Sequence, residues 1–341
     1  MKAWVIYEHG GVEKLLFEDV PSPVPKPTEV LVEIKACALN HLDIWVRKGL
    51  PIKITYPHIL GCDIAGIVKE VGGEVKNVKK GSKVLISPGL PCYECEKCRE
   101  GKDNECPHYG IVGETISGGY AELISVSEKN ILPFPKNYSF TEAAAIPLTF
   151  VTAWHMLVAK GKIKKGDWVL VLAAGSGVGS AAIQIAKLFH AHVIATASTE
   201  EKLDLAKSLG ADFVINYREE DFSKKVKELT HKRGVDIVFE HTGSTTWEKS
   251  IKSVCNNGVI VTCGATTGYE AVTDLRHVFF RQLSILGSTM GTYSELKEIL
   301  KYVDQGKLKP VVDKVFPFAQ VKQAHQYMEN RKQFGKIVLE M

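Results

Sequence analysis

The sequence predicts an α/β chain of two domains, a β-rich N-terminal half followed by a doubly wound parallel sheet. Three observations lead there. At 341 residues, 45% hydrophobic and 24% charged, the chain is long enough for two separate cores. Short alternating runs between glycines and prolines fill the first half, as half-buried antiparallel strands do. Continuous apolar runs alternating with helical spacing fill the second, the pattern of βαβ units.

Taken in order, the opening MKAWVIYEHGG lacks the basic and apolar regions of a secretion signal, and no apolar run is long enough to span a bilayer. A cytoplasmic chain is expected. The formal net charge of +4, with no basic block, gives no electrostatic case for nucleic acid or membrane. Small molecules are therefore the expected partners. "EVLVEIKA" (29–36) and "SKVLIS" (82–87) are strands of a domain spanning residues 1–150. A second domain, 151–290, begins with the apolar strand "DWVLVLAAG" and continues through "HVIATA", "FVINY", "VDIVFE", "GVIVTCG" and the buried run "LSILGS". Residues 291–341 add two helices and two strands, which are expected to return to the first domain.

Within the first domain, at about 88–110, Cys92, Cys95, Cys98 and Cys106 follow the spacing C-x2-C-x2-C-x7-C. Four thiolates on one short loop can close a tetrahedron around Zn²⁺, and a complete shell leaves no position for substrate. This zinc is structural. Cys37, Cys255 and Cys263 sit in apolar strand-like settings and read as small buried hydrophobes.

"AAGSGVGS" (173–180) lies between an apolar strand and an amphipathic helix, where backbone N–H groups of Ala174, Ser176, Gly177, Val178 and Gly179 can approach a pyrophosphate. Against the GxGxxG pattern its key positions read Ala174, Ser176 and Gly179, a loose match. The next strand ends in "TASTEEK" without the carboxylate that would bind the NAD ribose, which favours NADP(H) over NAD(H). Ser198 can bind the extra phosphate or cap the following helix with Glu201, and Lys202 can bind it or stay solvated. His241, at a strand's C-terminal end, is expected to face the nicotinamide.

The β-rich half, the four-cysteine lobe and the C-terminal nucleotide unit together resemble the medium-chain dehydrogenase/reductase superfamily over essentially the whole chain. The resemblance implies a GroES-like catalytic domain, a Rossmann domain, a nicotinamide cleft between them, and a homodimer or homotetramer. Zinc alcohol dehydrogenases of this superfamily hold a catalytic metal with a Cys, a His-Glu pair and a second Cys. This chain has Asn40, then Cys62 with Asp63, then Thr149 at those places, and Leu42 where a proton-relaying hydroxyl is kept. Asn40 with Asp63 is similar to zinc-free quinone oxidoreductases, whose NADPH-binding lysine, tyrosine and arginine correspond to Lys202, Tyr217 and Arg331.

Zinc makes an alkoxide accessible near neutral pH, so alcohol oxidation without it is expected to be very slow. A quinone or an α,β-unsaturated carbonyl is already electrophilic and needs only hydrogen-bond donors, which Asn40, His41 and Thr149 can supply. The expected activity is NADPH-dependent hydride transfer to such an acceptor. Two alternatives stay open: an alcohol dehydrogenase whose metal is rebuilt on His41, Cys62 and Asp63, and a nucleotide-binding protein without turnover. Plainer roles also stay open, with His41 as a cap, Asp63 as a loop anchor and Cys62 as packing. Acceptor shape is expected to depend on residues such as Trp45, Tyr56 and Tyr120.

Overall fold

The computed structural model describes all 341 residues, and the chain divides into two units. The first comprises residues 1–148, 292–304 and 310–341, and the second residues 149–291 and 305–309. No helix is long and apolar enough to cross a membrane.

The first unit is built on the strand Glu29–Ala38, whose apolar positions are all buried. It pairs antiparallel with Asp63–Val71 and Leu123–Ser127. Its last residues also pair with the chain's final strand, Lys336–Glu340. The register decides the chemistry. Ala38 faces Asp63 on one side and Val338 on the other, and the Leu39 amide donates to Ile337 O at 2.9 Å. Asn40 therefore leaves the sheet between Asp63 and Lys336, three side chains drawn from segments far apart in sequence. Asn40 is also the N-cap of the helix His41–Lys48.

The second unit is a six-stranded parallel sheet in the order Phe213–Asn216, His192–Ala197, Trp168–Val171, Val235–Glu240, Val254–Thr262, Ser284–Gly287. The order reverses between Trp168–Val171 and Val235–Glu240, which is where open α/β sheets bind nucleotides. Apolar side chains of the central strands, including Leu170, Ile194, Val238 and Ile260, form one core with Phe222, Val226 and Ile251 from flanking helices. Ser284–Gly287 corrects the expectation of a buried run, because it is the sheet's edge and most of its residues are exposed. A second correction concerns the helix Glu200–Ser208. Its N-cap is Thr199, whose hydroxyl accepts from the Lys202 amide at 3.4 Å, so Ser198 is not the cap.

Candidate functional site

In the first unit the side chains meet in a closed polar cluster. The Lys336 ammonium donates to Leu39 O at 2.8 Å, Asn40 Oδ1 at 2.7 Å and Asp63 Oδ2 at 2.9 Å. Asp63 Oδ1 accepts from the Leu148 amide at 2.8 Å, so the carboxylate anchors a backbone segment as well as a cation. Asn40 Nδ2 donates to Asp63 Oδ2 at 2.9 Å and to Cys62 Sγ at 3.3 Å. Lys336 is 4% and Asp63 0% exposed, a buried ion pair whose remaining lone pairs and protons are hydrogen bonded. Burial pushes the Cys62 thiol well above the usual range, so it stays protonated.

A second cluster supports the first. Asp43 Oδ2 accepts from the Asn40 amide at 2.7 Å and from Tyr120 Oη at 3.2 Å, and Oδ1 accepts from the Gly61 amide at 3.0 Å. One carboxylate thus ties the turn bearing Asn40 to the turn bearing Cys62 and Asp63. Gly61 has φ +96°, and a Cβ there would lie 2.6 Å from the Tyr120 ring, so glycine is required. His325 Nε2 meets Tyr120 Oη at 3.1 Å. Tyr120 corrects an expectation: it is fully buried beneath the cluster and is not a surface that an acceptor could touch. Sequence reasoning missed Asp43, His325 and Lys336. The one available hint was a lysine opening the apolar strand "GKIVLEM".

These residues do not fit the catalytic zinc that the dehydrogenase pattern implies. Asn40 Oδ1 and Asp63 Oδ2 already hold an ammonium, and the Cys62 sulfur takes a hydrogen bond from Asn40 Nδ2. His41 heads its helix and is half-buried. Thr149 lies in the helix Pro147–Trp154, is buried, and is counted with the second unit. Asn40 departs from a ready substrate donor, because its carboxamide protons point at Asp63 and Cys62.

The cysteine lobe does fit zinc. The Sγ atoms of Cys92, Cys95, Cys98 and Cys106 all lie within 4.8 Å of one another. Backbone amides already point at them: Cys92 N and His108 N donate to Cys106 Sγ at 3.4 and 3.3 Å, and Cys95 N to Cys92 Sγ at 3.3 Å. The Glu94 and Cys95 amides draw the Cys92 thiol down while burial and the Cys95 thiol push Cys98 up, so the sulfurs titrate as a set. Zinc there would complete a closed shell and hold the loop, with no reactive position.

In the second unit Ser176 Oγ accepts from Gly179 N at 2.9 Å and caps the helix Gly177–Leu188. The first-turn N–H groups of Gly177 and Val178 have no acceptor within the helix, which suits a phosphate. A Cβ on Gly179 would lie 2.6 Å from Ala173 O, so glycine lets the helix pack closely on the turn that follows the strand. Ala174 is buried, and its amide donates to Thr196 O at 2.8 Å. His241 Nε2 donates to Leu172 O at 2.9 Å, and burial keeps the imidazole neutral. The adjacent Glu240 carboxylate, fully buried, takes the Thr242 and Gly243 amides and the Thr246 and Ser250 hydroxyls.

Ala197 pairs with Asn216, and the Tyr217 amide donates to Ala197 O at 3.2 Å, so Ser198 and Tyr217 leave adjacent strand ends, with Lys202 in the first turn of the next helix. Arg331 is exposed at φ +54° and belongs to the first unit.

Comparison with known proteins agrees with both units. Residues 26–136 match the alcohol dehydrogenase GroES-like domain, and residues 177–305 match the zinc-binding dehydrogenase family. The chain is 32% identical to a zinc-type alcohol dehydrogenase-like protein of Schizosaccharomyces pombe, over 98% of this chain and 97% of the relative. It is 30% identical to the quinone oxidoreductase of Homo sapiens, over 99% and 97%. A solved NAD-dependent alcohol dehydrogenase superposes with a TM-score of 0.97 at 52% identity, covering 100% of both chains.

Proposed function

Because the chain belongs to the medium-chain dehydrogenase/reductase superfamily of NAD(P)-dependent oxidoreductases, we propose that it passes hydride from NADPH to a quinone or to the β-carbon of an α,β-unsaturated carbonyl, without a catalytic zinc. The observation that carries this reading is the bonding of the Lys336 ammonium to Asn40 and Asp63, the positions from which a dehydrogenase would hold its metal. The bound nicotinamide supplies the hydride. What remains for the protein is to receive the negative charge that develops on the acceptor oxygen. With the Asn40 carboxamide protons committed inside the cluster, His41 at the head of its helix is this unit's candidate for that role. Leu42 carries no proton, so the chain lacks a hydroxyl relay for an alcohol at that position. The four-cysteine lobe holds one structural zinc.

One assay tests reaction and cofactor together. NADPH oxidation by enones and quinones should survive a chelator added briefly before assay, and alcohol oxidation should be very slow. Chelator-sensitive alcohol turnover would instead select the metal-dependent reading. The preference for NADPH is supported by the missing carboxylate at Ala197 and Ser198, with Lys202 and Tyr217 beside it. Lys202→Glu should raise KM for NADPH about tenfold or more, the worth of one charge-assisted contact, and leave KM for NADH nearly unchanged.

A homo-oligomer is supported by the edge strand Ser284–Gly287 and the apolar side chains preceding it, Val272, Leu275, Phe279 and Phe280, exposed at 89%, 68%, 60% and 75%. Light scattering should return more than one chain per particle, and fewer for Phe280→Asp. A wild-type monomer would reject the assignment.

A further inference from the structure

Resting on that reading of a metal-free site, we propose that Lys336 is the site's resident cation: its ammonium excludes a divalent ion from Asn40, Cys62 and Asp63 and fixes the Asn40 carboxamide. An ammonium has three donors and no acceptor. Here all three are used, on Leu39 O, Asn40 Oδ1 and Asp63 Oδ2, at 2.7 to 2.9 Å. The stem rises from a strand buried along almost its whole length, so the charge has no route to water.

Charge balance makes the same point. The ammonium neutralises Asp63, the one carboxylate bonded to it, and a divalent ion among the same oxygens would meet a like charge held at hydrogen-bond distance. Cys62 is engaged in the same cluster, its sulfur taking a hydrogen bond from Asn40 Nδ2 at 3.3 Å. The amide orientation follows too. With Oδ1 on the ammonium and Nδ2 on the carboxylate, turning Asn40 over would set donor against donor and acceptor against acceptor. Lys336 is thus a positioning residue, acting through Asn40 and Asp63.

The test is cobalt uptake by the full-length chain, with Co²⁺ supplied in place of zinc and read by metal stoichiometry and by the visible bands of cobalt-thiolate coordination. Wild type should take one cobalt per chain, on the four-cysteine lobe. Lys336→Gln, one bond shorter and with two amide donors in place of three, removes the charge and should take two. The added band should vanish when Cys62→Ser is combined with it. A second cobalt in wild type that Cys62→Ser removes would overturn the proposal, and so would a folded Lys336→Gln protein that stops at one.

Should Lys336→Gln not fold, Cys62→His with Lys336 retained decides instead. It places a strong ligand beside Asp63 and is still expected to stop at one cobalt, whereas two would overturn the exclusion. Enone reduction by wild type, measured on the same preparation, separates the two levels. Absent NADPH turnover with the cobalt pattern intact refutes the proposed reaction alone, and normal turnover with the cobalt pattern broken refutes the role of Lys336 alone.

Discussion

Lys336→Met is expected to cost the first unit about 3–5 kcal/mol of stability, the usual penalty for stripping one partner from a buried ion pair. The loss does not measure the net worth of the pair. It measures what it costs to leave the Asp63 carboxylate buried with only the Leu148 amide and Asn40 Nδ2 as donors. Asp63→Asn added to Lys336→Met should therefore recover at least half of the loss. Freed from the ammonium, the Asn40 carboxamide can turn so that its oxygen accepts from the new amide. Native-state hydrogen exchange of the strand Glu29–Ala38 reads this directly, and protection there should fall by about two to four orders of magnitude in the single variant. If the double variant is as unstable as the sum of the two singles, the residues are not coupled and the cluster is not an ion pair in solution.

That long-range pair shows where sequence reading stopped. Strands of the second unit were legible because a strand buried on both faces leaves a largely apolar run: "HVIATA" and "VDIVFE" are the strands His192–Ala197 and Val235–Glu240 residue for residue. The four cysteines were legible as local spacing, and Asn40, Cys62 and Asp63 through the resemblance to the dehydrogenase pattern. Lys336 was not, because its carboxylate partner lies 273 positions away and only the pairing of the last strand with Glu29–Ala38 brings them together. Tyr120 misled for a related reason. An aromatic in a glycine-rich stretch is expected to shape the acceptor, whereas the absence of a side chain at Gly61 lets its backbone pack directly on the ring. The cap at Thr199 instead of Ser198 is a shift of one residue, within the ordinary uncertainty of helix ends. The strand Ser284–Gly287 is apolar yet exposed, since periodicity reports what can be buried and not whether a neighbour is present to bury it.

Between pH 6.5 and about 4, His325→Phe and Asp43→Asn should change the pH dependence of the first unit's stability in opposite directions. His325 is fully buried, and burial followed by the nearby Arg47 guanidinium holds it down to about 3 from 6.5. A depressed folded value contributes stability that is complete above pH 6.5 and is lost as pH falls toward 3, about 4–5 kcal/mol in all. Asp43 has the reverse sign. Burial raises it from 3.8 to about 6, against the Asn40 and Gly61 amides, the Lys336 charge and the Tyr120 hydroxyl. Its favourable contribution is complete below pH 3.8 and is lost as pH rises through 6, about 3 kcal/mol. On acidification through this window, His325 gives up about 3 kcal/mol while Asp43 regains nearly as much, so the two buried groups joined through Tyr120 offset each other. Removing the imidazole should make stability rise by about 3 kcal/mol relative to wild type as pH falls from 6 to 4, and removing the carboxylate should make it fall by about as much. The slopes decide, because either substitution also changes the absolute level by breaking a hydrogen bond to Tyr120. Two variants with the wild-type slope would show that neither group titrates between folded and unfolded states as the geometry requires.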